Sequence, residues 1–171
     1  MTAVRLRLAA ALLAALTLSA CAGGAQRLDA AGDVHVLLTA IRDGDRETFD
    51  RHVDRAALQA EIEARLAAEA ARAPNEEARA LGALLGPSLA RAAAQQLVRP
   101  EVFRSVAEHY GYDRSQPLPG RVAIAGSLRP MGDGRVCATE KKDGPCLLVF
   151  TQTDGVWRLS GFEGDIGMLR R

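Results

Sequence analysis

The spacing of apolar residues changes once along this chain, at Gly111, and that change decides the class of fold it can form. Upstream the spacing is helical. Val34, Leu37, Leu38 and Ile41 recur at i, i+3, i+4 and i+7, one face of a helix. Asp33 is placed to cap that helix, and Gly44 suits the left-handed position that ends it. Asp45 opens a short second helix with Phe49 and Val53 inward. Asp54 caps a third, with Leu58, Ile62 and Leu66 in register. Pro74 ends this stretch. A fourth helix starts near Asn75 and carries Ala78, Leu81, Leu85 and Leu89. Gly86-Pro87 predicts a kink or a break into two helices. Pro100 fits the first position of a fifth helix, whose stripe is Phe103, Val106, Ala107 and Tyr110.

Downstream of Gly111 the period becomes that of strands. After a Pro-rich loop over residues 113–120, Val122, Ile124 and Leu128 alternate with Arg121, Ala123, Ser127 and Arg129, which predicts a first strand. Asp133-Gly134 marks a turn, and residues 135–140 a second strand. Cys146-Leu147-Leu148-Val149-Phe150 is apolar on both faces, as a central strand requires. Asp154-Gly155 is a strong hairpin turn signal, and residues 156–162 return as the last strand with Trp157 and Leu159 on one face. About five helices followed by about four strands predict an α+β domain with an antiparallel sheet, over residues 29–171.

The N-terminus carries an address. Arg5 and Arg7 precede an apolar run over residues 8–16, too short to span a bilayer, where a helix needs roughly 20 apolar residues. Leu18-Ser19-Ala20-Cys21 then resembles the lipobox of bacterial lipoproteins: an aliphatic residue, two small residues and a cysteine. The resemblance implies that residues 1–20 are a signal peptide and that Cys21 carries lipid. It makes residues 21–28 a short tether to the domain. Ala22 at the position after the cysteine, where Asp would retain the protein elsewhere, implies the inner leaflet of a Gram-negative outer membrane, facing the periplasm. Two acyl chains hold a protein stably where one binds marginally.

Export also bears on Cys137 and Cys146, which flank a turn-like segment. An oxidising compartment favours a disulfide between them; two free thiols or a redox pair are the alternatives, although the spacing is not C-x-x-C. The chain holds 22 basic and 21 acidic residues, and loss of Arg5 and Arg7 leaves 20 against 21. With no basic stripe and 4% aromatics, nucleic acid is a poor partner.

Candidate chemistry is sparse. Asp43-Gly44-Asp45 fails the spacing of a calcium loop and reads as a helix stop followed by a helix cap. His35, His52 and His109 stand on three predicted helices without a Cys, His or carboxylate at ligand spacing, and His35 and His52 are expected to face water. Glu61, Glu63, Glu76 and Glu77 read as solvated helix faces. No serine sits in a nucleophile elbow and no glycine run forms a phosphate loop. No metal, cofactor or catalytic group is expected.

Several pieces, in order, resemble a family of bacterial proteins known only as a domain of unknown function. They are Ala40-Ile41-Arg42-Asp43-Gly44-Asp45, Phe49 with Val53-Asp54, Leu58, Leu81 with Leu85, Arg99-Pro100-Glu101-Val102-Phe103 and Val156-Trp157-Arg158-Leu159. Arg99 departs from the Thr or Ser expected before the proline. The resemblance transfers no site. The helices, the Gly-Asp corner and the terminal Trp hairpin also resemble cone-shaped folds of the nuclear-transport-factor-2 type, which implies an apolar pocket by analogy of fold.

The functional expectation is a non-catalytic envelope lipoprotein that binds something, an envelope protein foremost. The alternative is a carrier of a small apolar ligand or lipid, in a pocket lined by Leu81, Leu85, Phe103, Val106, Phe150 and Trp157. An enzyme of unknown class is the remaining alternative.

Overall fold

Two Asp-Gly dipeptides set the sheet. Asp133 and Gly134, and again Asp154 and Gly155, all have positive φ, the geometry of the tight turns that match strand twist. They join β1 (Leu128–Gly132) to β2 (Arg135–Thr139) and β3 (Cys146–Thr153) to β4 (Val156–Phe162). The result is an antiparallel meander in the order β1-β2-β3-β4, with β3 in the interior as its two-sided apolarity requires. The computed structural model describes the backbone of residues 2–72, 75–109, 111–141 and 144–163, and the side chains of these except 2–22, 78 and 81–85.

Six helices precede the sheet: α1 (Thr2–Asp43), α2 (Arg46–Arg51), α3 (Arg55–Ala71), α4 (Glu76–Leu97), α5 (Pro100–His109) and α6 (Arg121–Ser127). Several begin and end where the sequence places them. Gly44 takes a φ of 75°, and the Asp45 carboxylate accepts from the Thr48 N–H at 3.1 Å. Asp54 does the same for Ala57 at 3.0 Å, and Pro100 opens α5.

Three expectations are overturned. Residues 121–127 form a helix, not a strand. Ile124 and Leu128, four apart, satisfy both periods, so the reading turned on Val122, which is 79% exposed. With Gly120 as N-cap, Ile124, Ala125 and Leu128 are the buried face. Second, α1 does not begin at Asp33 but runs through it from far upstream, so that residues 21–28, the expected short tether, are helical. Gln26, Arg27 and Leu28 are good helix formers, and the segment lies against the sheet, with Pro130 Cγ 3.8 Å from where a Gly23 Cβ would stand. Third, of the kink or break expected at Gly86-Pro87, the break into two helices does not occur: α4 continues as one helix, sustained by alanine-rich sequence on both sides.

The core lies between the helices and one face of the sheet. Phe49, Leu58, Val98, Val136, Trp157 and Leu159 are all buried there, and Phe49 meets Phe103 edge-on at 5.3 Å. Alternation puts Cys137, Cys146 and Val149 in a small separate cluster under Met131. The two cysteines lie at disulfide-bonding distance, with Cα atoms 5.6 Å apart.

The outer edge of β4 joins helices to sheet. The Trp157 backbone N–H donates to Asp33 at 2.8 Å. The Leu159 N–H donates to the His52 carbonyl, and the Leu159 carbonyl accepts from Asp54 N–H, each at 2.9 Å. The Phe162 N–H donates to Glu61 at 3.0 Å, and its carbonyl accepts from Arg65, whose guanidinium lies over the Phe162 ring. Glu61 is therefore a half-buried strand cap rather than a solvated residue. His52, expected to face water, is 9% exposed and donates from Nδ1 to the Thr48 carbonyl at 2.8 Å.

Two stability changes follow. Asp33→Ala strands the buried Trp157 N–H, and should lower unfolding free energy by about 1–3 kcal/mol, whereas Asp33→Asn keeps an acceptor and should cost about half as much. Urea unfolding of the two variants checks this. Replacing Cys137 and Cys146 together by alanine should remove about 2.5 kcal/mol, the loop-closure contribution of a cross-link this local, read from the same midpoints.

Candidate functional site

The apolar faces of α1 and α5 do not seal against each other or the sheet. Between them is an apolar pocket of about 480 Å³. The α1 stripe read from the sequence, Val34, Leu37, Leu38 and Ile41, forms one wall. Phe103, Val106 and Ala107 of α5 form a second. Pro119 and the α6 residues Ala123, Ile124 and Ser127 form a third. The floor is the sheet, with Leu128, Ala138, Leu148, Phe150 and Leu159 contributing from all four strands. Native interiors hold few voids larger than a water molecule, and this pocket, open on one side, is far larger than that. It falls within the roughly 300–1,000 Å³ usual for ligand pockets.

The lining is almost wholly hydrocarbon. Of the sixteen described residues that line it, fifteen are apolar and none is ionisable. The exception, Ser127, directs its hydroxyl to the Ile124 carbonyl at 2.8 Å. Val106, Ala123 and Leu148 are exposed and form the rim. Beside it the half-buried His35 donates from Nδ1 to the Pro119 carbonyl at 3.0 Å, tying the loop before α6 to α1. At the same helix, Gly32 leaves room for the Arg121 guanidinium, which donates to the Leu28 carbonyl at 3.2 Å. A Cβ at Gly32 would stand 3.1 Å from Arg121 Nη2. These bonds hold α6 and its pocket wall against α1.

Of the six residues expected to line a pocket, Phe103, Val106 and Phe150 do so. Trp157 does not. It lies toward the turn end of the β3–β4 hairpin, opposite Gln152, and is fully packed there with its indole N–H on Asp29 at 2.8 Å. The side chains of Leu81 and Leu85 lie outside the described residues, as does that of Cys21. The reading from sequence missed Pro119, Ala123 and Leu148. The one signal available was that α1 and α5 each offer an apolar stripe, more surface than the strands alone can cover.

The polar candidates do not converge. His35 is at the rim and His52 is 3.7 Å from Asp33 in the core. His109 is on the exposed side of α5. A second recess, of about 210 Å³, lies over the α1–α2 corner among His35, Thr39, Asp43, Asp45 and Thr48. Its carboxylates are already engaged. The Arg42 guanidinium hydrogen-bonded to Asp43 holds that carboxyl below its ordinary range, and the hydrogen bonds from Thr48 do the same for Asp45. Among the described residues, no three His, Cys, Asp or Glu side chains are grouped to hold a metal ion.

Ala123 is exposed at the rim, so a tryptophan there can fill the mouth without entering the core. Ala123→Trp should weaken binding of an apolar fluorophore by about tenfold or more, a loss of about 1.4 kcal/mol. Fluorescence titration measures it, and the unfolding midpoint should stay within about 0.5 kcal/mol of the parent.

No curated protein and no solved structure matches the chain. The likeness to nuclear-transport-factor-2 folds therefore rests on sequence pattern alone. A family described as "Protein of unknown function (DUF2939)" matches residues 9–106. That span takes in the pieces from Ala40 to Phe103 and stops before Val156-Trp157-Arg158-Leu159. It contains the α1 wall of the pocket and Phe103 and Val106 of the α5 wall, and neither α6 nor any strand. The match exceeds half of the 171 residues, and the chain belongs to the DUF2939 family.

Proposed function

We propose that this protein is a membrane-anchored envelope lipoprotein whose domain is a non-catalytic binding module for a small apolar ligand. The observation that carries the binding half is the apolar pocket of about 480 Å³, with no ionisable residue among the described residues of its lining. Acid–base and nucleophilic chemistry need a titratable or activated group within reach of the substrate, and the lining supplies none. It supplies instead what the transfer of hydrocarbon out of water needs, at about 25 cal/mol per Å² of apolar surface buried. This reading takes the ligand carrier over a purely protein-binding module, because the apolar surface that α1, α5, α6 and the sheet leave uncovered is concave.

The address half is supported by the Leu18-Ser19-Ala20-Cys21 lipobox and by Ala22 behind it. Among the described residues no helix is long and apolar enough to cross a membrane, so lipid on Cys21 is the attachment this reading uses. The inner leaflet of the outer membrane is the destination it implies.

Two measurements test the halves separately. Cys21→Ala should abolish labelling by a radioactive fatty acid and move the protein out of the washed membrane fraction; unchanged labelling and sedimentation would end the address. Native mass spectrometry of the protein taken from an envelope fraction should show an apolar small molecule retained. A ligand-free protein that also fails to bind apolar fluorophores would end the binding reading.

A further inference from the structure

We infer that the pocket takes the tail of a single-chain amphiphile, an acyl chain inserted with its polar head left at the mouth. This rests on the binding reading above and narrows it to a ligand class. Three features of the lining carry it.

The first is the absence of any free polar group among the described residues of the lining. Ser127 is the one polar residue, and its hydroxyl is spent on the Ile124 carbonyl. A ligand that carried hydroxyl or amide groups into the pocket would leave them unpaired, at about 2–7 kcal/mol each. Whatever lies inside is hydrocarbon. A ligand that travels through water must then keep its polar group outside, and the pocket is open for this at Val106, Ala123 and Leu148. His35, on the Pro119 carbonyl, is the polar side chain beside that rim.

The second is the kind of wall. Planar ring systems are gripped by aromatic faces, stacked or edge-on. Here Phe103 and Phe150 are the only aromatic residues among sixteen, and Phe103 already meets Phe49 edge-on. The rest is Leu, Ile, Val, Ala and Pro. Such a wall conforms to a chain and offers nothing particular to a ring.

The third is shape. The floor draws Leu128, Ala138, Phe150 and Leu159 from four adjacent strands. At about 4.8 Å between neighbours, the pocket runs roughly 14 Å across the sheet. With about 480 Å³ in all, in the lower half of the usual range, this is room for one elongated chain and not for two.

The test uses the full lipoprotein in lipid nanodiscs, where no detergent competes for the pocket. The probe is a fatty acid bearing a photoreactive diazirine on its chain. Labelling should concentrate on peptides covering residues 34–41 and 121–128, and Ala123→Trp should abolish it. Competition by saturated fatty acids of increasing length should strengthen about fourfold per methylene, the equivalent of about 0.8 kcal/mol, and level off once the pocket is full. A rigid tricyclic sulfonate that competes where no fatty acid does would overturn the acyl-chain assignment and leave the apolar pocket standing. A diacyl phospholipid retained in native mass spectra would overturn the single-chain assignment. If neither the probe labels nor the tricyclic sulfonate binds, this inference and the binding reading both fall.

Discussion

Trp157 donates both of its N–H groups to carboxylates one turn apart on α1. The indole reaches Asp29 and the backbone reaches Asp33, each at 2.8 Å. An edge strand presents unpaired backbone groups, and each one buried without a partner costs about 1–3 kcal/mol. β4 meets this cost with three segments in turn: α1 at Trp157, the His52–Asp54 corner at Leu159, and α3 through Glu61 and Arg65 at Phe162. The strand that would otherwise be open to a second chain becomes the seam along which the helical layer is fixed. The opposite edge, β1, is blunted by other means, with Pro130 in the strand and Arg129 beside it.

That seam explains where the pocket lies. α1 is pinned to the hairpin at residues 29 and 33 and packs closely there, around Trp157. One to two turns further on, residues 34–41 face a floor of smaller or recessed side chains, including Ala138 and Leu128. α5 and α6 lean over the gap without filling it: beside Phe103, Val106 and Ile124 they contribute the small Ala107, Ala123 and Ser127. A filled core would need larger side chains at these positions. The polar seam and the apolar gap thus divide the same helix between them, the first holding α1 rigidly and the second using its next turns as a wall.

Much of this architecture was legible in the sequence because it depends on local chemistry. The Asp-Gly turns, the caps at Asp45 and Asp54, Pro100 at the start of α5 and the two-sided apolarity of β3 are each decided within a few residues. What was not legible depends on contacts distant in the chain. Asp33 has the sequence signature of a cap, and its actual partner is Trp157, far along the chain. Glu61 has the signature of a solvated helix residue, and it caps β4. Residues 121–127 fit strand and helix periods alike, and packing against α1 through Arg121 chose between them. The candidate site followed the same rule. Phe103 and Val106 belong to a helical stripe that the sequence displays, whereas Pro119 and Leu148 reach the pocket only through the fold.

One consequence of α1 connects the proposed address to the pocket. The helix passes through position 21, lies along the sheet past Gly23, is bonded at Asp29 and Asp33, and lines the pocket from Val34. At 1.5 Å per residue, Val34 stands about 20 Å beyond Cys21 along one continuous helix. Under the proposed address, lipid on Cys21 would join the domain through helical turns rather than through a coil, and from Gly23 onward those turns already lie against the sheet.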